Sequence, residues 1–136
     1  MDKKINLFIE KLKKMPDFSK VKFVFLFGSQ VNKRANKFSD YDFVVYYDGD
    51  KRKRFNFRIK LLGNLPDNFD VQIFQDLPLH VRINVFKKLI YAKNLDFVYE
   101  TAYSTIKEFE YFKKYYYDYI NTRKLKTWNL KLSEKN

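Results

Sequence analysis

The chain has no cysteine, three glycines, three prolines and a single histidine in its 136 residues. Without cysteine there is no disulfide framework and no thiolate metal site. The histidine, His80, follows a proline-initiated turn with no metal-ligand or base partner at a recognisable spacing, so it reads as a surface residue. No run of about 18 apolar residues occurs, so no segment is expected to span a membrane. The opening stretch MDKKINLFIEKLKKMP lacks the uninterrupted apolar core of a signal peptide, and a soluble cytoplasmic protein is the expectation. There is no Walker-type phosphate loop. Acidic residues are also in short supply. Lys and Arg number 28 against 16 Asp and Glu, for a formal charge of +12. That excess attracts nucleotides, RNA or an acidic protein face, although a solvated basic surface has the same composition.

What the chain does have is apolar and aromatic mass, at 46% and 20% of residues. This is enough for a real core in one domain. Ile5, Phe8, Ile9 and Leu12 recur at helical spacing before Pro16 and predict a helix over 3–14. Val21 to Phe27 is a nearly continuous β-branched and aromatic run, as expected of a strand buried on both faces. Gly28-Ser29 ends it, and a short helix over 29–36 with Ser29 as its cap is expected. A second strand over 42–47 closes on Asp48-Gly49-Asp50. Phe55, Ile59 and Leu62 share a face of a helix over 51–62, with Gly63 just past its end. A third strand is expected over 70–74, a helix from Pro78 to about Lys88, and an edge strand at LIYAK. Asp96 then caps a long helix through Val98, Ala102, Ile106, Phe109, Phe112 and Tyr116. After Ile120 the apolar period fades into a basic tail over 121–136, whose order the sequence leaves open. The expectation is a mixed α/β (α+β) domain over 1–120, with a small sheet flanked by helices and a long C-terminal helix.

The chemistry concentrates between the first two strands. A strand that turns through Gly28-Ser29 into a helix presents unpaired N–H groups, and glycine lets a phosphate come close. Asp40 and Asp42, two residues apart, point to the same side of a strand. Two carboxylates so close favour a hard cation such as Mg²⁺, which takes a few carboxylates plus substrate phosphates. Asp70, at the start of the third strand, is placed to add a third. Three carboxylates can serve two metal ions in phosphate chemistry.

Gly28-Ser29, a ten-residue spacer and Ser39-Asp40-Tyr41-Asp42 resemble the signature of the DNA polymerase β-like nucleotidyltransferases. The short chain, with DLPLHVRINVFKKLIYAK and the helix YETAYSTIKEFEYFKKYYYDYI, resembles the minimal nucleotidyltransferase (MNT) branch and its MntA-type antitoxins. The likeness covers roughly residues 5 to 120. It implies ATP as substrate, Mg²⁺ as cofactor and transfer of AMP to a hydroxyl. Asp40 and Asp42 match the metal-bridging pair. Asp70 matches the carboxylate that helps bind the catalytic metal and deprotonates the acceptor, and Gly28 and Ser29 match the turn on the β- and γ-phosphates. The implied acceptor is a tyrosine of a HEPN ribonuclease toxin. Many relatives carry arginines and a glycine where this chain has Gln30, Asn32 and Lys33, so phosphate neutralisation falls to Lys33, Arg34 or Lys37. Alternatives are transfer to a small molecule or RNA, or a non-catalytic antitoxin that binds sterically.

Two further features stand out. The cluster Tyr115-Tyr116-Tyr117 and Tyr119 reads as core and partner contact in preference to a stacking platform for RNA. Lys51 to Arg54 crowd a helix start, where the dipole prefers acids, which reads equally as a site for an anionic neighbour, the nucleotide's phosphates or an acidic partner, and as a solvated basic corner.

Overall fold

The computed structural model describes residues 2–28 and 41–135, with side chains described through residue 122. Helix α1 (Lys3–Lys13) is capped by the Asp2 carboxylate, which accepts from Lys4 N–H. It buries Ile5, Phe8 and Leu12 against the sheet. Strand β1 (Val21–Phe27) pairs antiparallel with β2 (Tyr41–Tyr47). Helix α2 (Lys51–Leu62) crosses to β3 (Phe69–Ile73), which lies parallel to β2. A short α3 (Leu79–Arg82) leads to β4 (Lys88–Ala92), and α4 (Leu95–Lys135) ends the fold. The sheet order is β3-β2-β1-β4.

Both faces of β1 are buried, as its nearly continuous apolar run requires. One core holds Val24, Leu26, Phe43 and Val45 under α1 and α2, with Phe8 stacked on Phe43 at 3.7 Å between ring centres. The other core gathers Phe23, Phe25, Val44, Phe74 and Val85 with Val98 of α4. The alternation along β2 therefore sends Tyr41, Phe43 and Val45 to the α1/α2 side, and Asp42, Val44 and Tyr46 to the α4 side. Among the described residues no helix is long and apolar enough to cross a membrane.

Several elements depart from the sequence-based expectation. The helix from Pro78 stops at Arg82, with Pro78 as its cap rather than in its first turn. The chain then turns, with Asn84 Nδ2 donating to the His80 carbonyl at 2.9 Å, to bury Val85 and begin β4 at Lys88. Helix α2 buries Phe57 and Leu61, while Phe55 and Ile59 face solvent. The inward face also carries the half-buried Arg54 and Arg58, so its apolar stripe is interrupted by arginines whose stems lie along the sheet. Gly63 adopts φ −64°, in the right-handed region, and the helix ends through i+3 bonds from Asn64 and Leu65. Asn94, not Asp96, caps α4, its Oδ1 accepting from Asp96 N–H at 2.8 Å. The backbone of α4 stays helical through the basic tail to Lys135. The segment expected as a helix over 29–36 lies outside the described residues.

Candidate active site

The register of three strands assembles the candidate site. Asp42 is the Cα partner of Phe27 on β1 and of Asp70 on β3. Partners in register project to the same side, so Asp42 and Asp70 share the α4 face of the sheet at one end of adjacent strands. Gly28 follows Phe27 directly and has φ +85°, a conformation that L side chains rarely adopt. A Cβ added at Gly28 would stand 2.6 Å from Asp42 Oδ2. The glycine is thus required twice, for the turn and for the close passage of the backbone past the carboxylate. Three of the expected site residues, Gly28, Asp42 and Asp70, are brought together. Asp40, Ser29, Lys33 and Arg34 lie outside the described residues.

Asp70 is held from three directions. Its Oδ1 accepts from Val71 N–H at 2.8 Å and lies 3.6 Å from the Arg58 guanidinium. Its Oδ2 accepts from Gln72 Nε2 at 2.9 Å. Arg58 also donates through Nε to the Val71 carbonyl at 2.5 Å. It reaches from α2 around the outer edge of β3 and fixes strand and carboxylate together. Arg58 and Gln72 were not singled out from the sequence. The signal for Arg58 lay in its spacing, one turn after Arg54 on a face that also carries Phe57 and Leu61.

At the basic start of α2, Lys51 to Lys53 are exposed and Arg54 has an acidic partner within the fold. Asp50 caps the helix by accepting from Lys53 N–H at 2.9 Å. Arg54 pairs with Asp76 at 2.8 Å, and that hydrogen bond holds the guanidinium pKa above its ordinary value. His80 is exposed, as expected of a surface residue.

The start of β2 is anchored from the opposite side of the sheet. Tyr41, next to Asp42, donates its hydroxyl to Asp2 Oδ2 at 2.7 Å. That bond, with burial, pushes the Tyr41 phenol up to about 12. Burial raises the Asp2 carboxyl, but the bonds from Tyr41 and the Lys4 and Ile5 N–H groups outweigh it and leave the pKa lowered. Tyr47, at the other end of β2, donates to Asp17 Oδ2 at 2.7 Å, and burial together with this bond pushes it up to about 12 as well.

A carboxylate pair at the ends of adjacent strands, beside a glycine turn leaving a buried strand, suits the handling of phosphate groups. Comparison with known proteins agrees. The family model described as polymerase beta, nucleotidyltransferase matches residues 8–96. A protein of Methanocaldococcus jannaschii, provisionally named a protein adenylyltransferase, is 31% identical over 80 residues, which are 57% of this chain and 62% of that protein. A chain of a toxin–antitoxin complex crystallised with AMP-PNP superposes with a TM-score of 0.61 at 21% identity, over 79% of this chain and 88% of that one. A chain from a complex of tri-AMPylated Shewanella oneidensis HEPN toxin with its MNT antitoxin gives 0.58 at 19% identity, over 80% and 86%. These two structural likenesses establish the fold alone. The family match takes in β1, β2 and β3 together with Gly28, Asp42 and Asp70, and on that ground the chain belongs to the polymerase β nucleotidyltransferase family.

Proposed function

We propose that this chain transfers AMP from ATP to a tyrosine hydroxyl of a HEPN ribonuclease toxin and, by doing so, acts as that toxin's antitoxin. The observation that carries the reading is the direct register of Asp42 with Asp70, with the Gly28 backbone against Asp42. Support for the acceptor comes from the Shewanella oneidensis complex, whose HEPN toxin is tri-AMPylated and bound to an MNT antitoxin. Support for the donor comes from the toxin–antitoxin complex with AMP-PNP.

Asp42 and Asp70 offer hard oxygen donors that fit Mg²⁺. Among the described residues no group of three His, Cys, Asp or Glu gathers, so a third carboxylate calls on Asp40, two residues before Asp42. Asp40, Asp42 and Asp70 would hold the metal, which supplies charge neutralisation on the phosphates when bound. The chain's own residues carry the remaining roles. The turn at Gly28 and Ser29, with Lys33 and Arg34, binds and orients the β- and γ-phosphates. Asp70, fixed by Arg58 and Gln72, accepts the proton of the tyrosine hydroxyl. The phenolate oxygen attacks the α-phosphorus in line. An O–P bond to the tyrosine forms as the bond to the β-phosphate oxygen breaks, and pyrophosphate leaves. Most of the acceleration on this account is positioning and electrostatics.

The test is incubation of the chain and the toxin with Mg²⁺ and ATP labelled at the α-phosphate. Label is expected on a toxin tyrosine, and Asp42→Asn should abolish it; equal labelling by the variant would sink the assignment. Full protection of cells by a variant with all three aspartates changed to asparagine would instead assign antitoxin action to binding alone.

A further inference from the structure

Helix α4 is much longer than the domain it packs on. Its 41 residues extend about 60 Å. Val98 and Thr105 are buried and Phe109 is half-buried, but from Glu110 to Tyr119 every residue is exposed. The stretch from Glu110 to Tyr119 therefore runs about 15 Å along the helix with little support from the core. A lone helix rich in aromatics is marginal in water, because helical stability comes mainly from packing an apolar face.

The projecting part nonetheless carries such a face. Tyr111, Tyr115 and Tyr119 form one row at i, i+4 and i+8, and Phe112, Tyr116 and Ile120 form the adjacent row. Within the rows, Tyr111 and Tyr115 lie 4.8 Å apart and Phe112 stacks on Tyr116 at 5.6 Å. At the foot of the stripe a cavity of about 510 Å³ opens between α3 and α4, lined by His80, Phe109, Phe112, Lys113, Tyr116 and Tyr117. With large aromatics at 150–250 Å² each and about half of each exposed, the stripe offers roughly 600 Å². That is close to the roughly 800 Å² per partner of a standard interface.

Charge selects the occupant. Around the stripe Lys107, Lys113 and Lys114 are balanced by Glu108, Glu110 and Asp118, which suits a protein surface and repels a phosphate backbone as much as it attracts one. Beyond it the helix is basic, with Arg123, Lys124, Lys126, Lys131 and Lys135 against Glu134. A second copy would bring together two chains that each carry a formal charge of +12. We infer that the aromatic stripe of α4 is the docking surface for a helical partner protein with an apolar seam and an acidic flank. On the reading given under Proposed function, that partner is the HEPN toxin. The stripe then holds the toxin through a surface separate from the carboxylates that modify it.

The test uses the full chain, with a HEPN ribonuclease toxin as probe, its ribonuclease histidine replaced by alanine. Two variants are compared with wild type, Tyr111→Ser/Phe112→Ser/Tyr115→Ser/Tyr116→Ser and Lys113→Glu/Lys114→Glu. The first is expected to weaken toxin binding about 100-fold or more, as loss of clustered aromatic anchors does. The second is expected to weaken it roughly 10-fold and flatten its salt dependence. Both should bind a fluorescent ATP analogue like wild type, and Asp42→Asn should still bind the toxin. Wild-type toxin affinity in both variants would overturn the inference. So would a wild-type dimer that the serine variant dissolves, which assigns the stripe to a second copy. Loss of binding to a uridine-rich single strand, with toxin binding intact, would assign it to RNA. Failure of the wild-type chain itself to bind the toxin would instead refute the toxin–antitoxin reading.

Discussion

Replacing Gly28 by alanine should damage transfer far more than it damages folding. The added Cβ would lie 2.6 Å from Asp42 Oδ2, where ordinary contact begins near 3.4 Å, so the carboxylate must retreat by about 0.8 Å. The backbone at φ +85° also costs a non-glycine residue about 1–2 kcal/mol. A displacement of about 1 Å in a reacting geometry typically costs on the order of 100-fold in rate. The expectation is a fall of about 100-fold in turnover of α-labelled ATP onto the acceptor, with about 1–2 kcal/mol lost in urea unfolding. Gly63→Ala is the control, since Gly63 sits at φ −64° with its nearest atoms at 3.5 Å. It should leave turnover unchanged and stabilise by about 0.4–1 kcal/mol. Wild-type turnover in Gly28→Ala would refute the claim that Gly28 sets the position of Asp42. Equal losses in both glycine variants would refute it too.

If Asp70 holds the metal as proposed, Arg58→Ala should lower turnover roughly 10- to 100-fold, the usual cost of losing a group that orients a metal ligand. The pair with Asp70 is partly exposed, so unfolding free energy should change by about 1 kcal/mol or less; a turnover equal to wild type would remove Arg58 from this role. Phe57→Ala should destabilise by about 3–5 kcal/mol in thermal or denaturant unfolding. Phe55→Ala should stay within about 0.5 kcal/mol, because Phe57 is buried against Tyr47 while Phe55 is in solvent. Stability should also fall in alkali. The Tyr41 and Tyr47 phenols are raised from 10.0 to about 12 in the fold, so their contribution is complete below pH 10 and is lost as pH rises through about 12. Tyr41→Phe should remove part of that fall, as followed by unfolding and by tyrosinate absorbance; an unchanged alkaline limb in this variant would contradict the assignment.

The strands of the site were readable because their signals are local. Val21–Phe27 and Phe43–Tyr47 are nearly continuous apolar runs, and Gly28 and the Asp-x-Asp stand beside their ends. The alignment of Asp70 with Asp42 was expected only as a neighbourhood, since parallel register depends on how α2 crosses back and not on any residue in β3 itself. The inward face of α2 was misread because arginines occupy half-buried positions beside Phe57 and Leu61. A hydrophobic count gives such positions the wrong sign. The helix expected from Pro78 to about Lys88 rested on the proline at its start, and no residue there marks its end at Arg82, where a turn follows that buries Val85. Arg58 escaped notice because its principal partner is a backbone carbonyl, which leaves no mark in the sequence.

Among the described residues strand β3 lies at one edge of the sheet, and it bears Asp70. A carboxylate on a rim can be approached by a bulky acceptor that would never enter a pit, but a rim strand also offers its unpaired ladder to any passing chain. Arg58 occupies the Val71 carbonyl on that strand, and β3 has only five residues. The guanidinium that steadies Asp70 therefore also occupies a backbone acceptor of an edge strand, so the placing of the carboxylate and the covering of that acceptor rest on the same side chain.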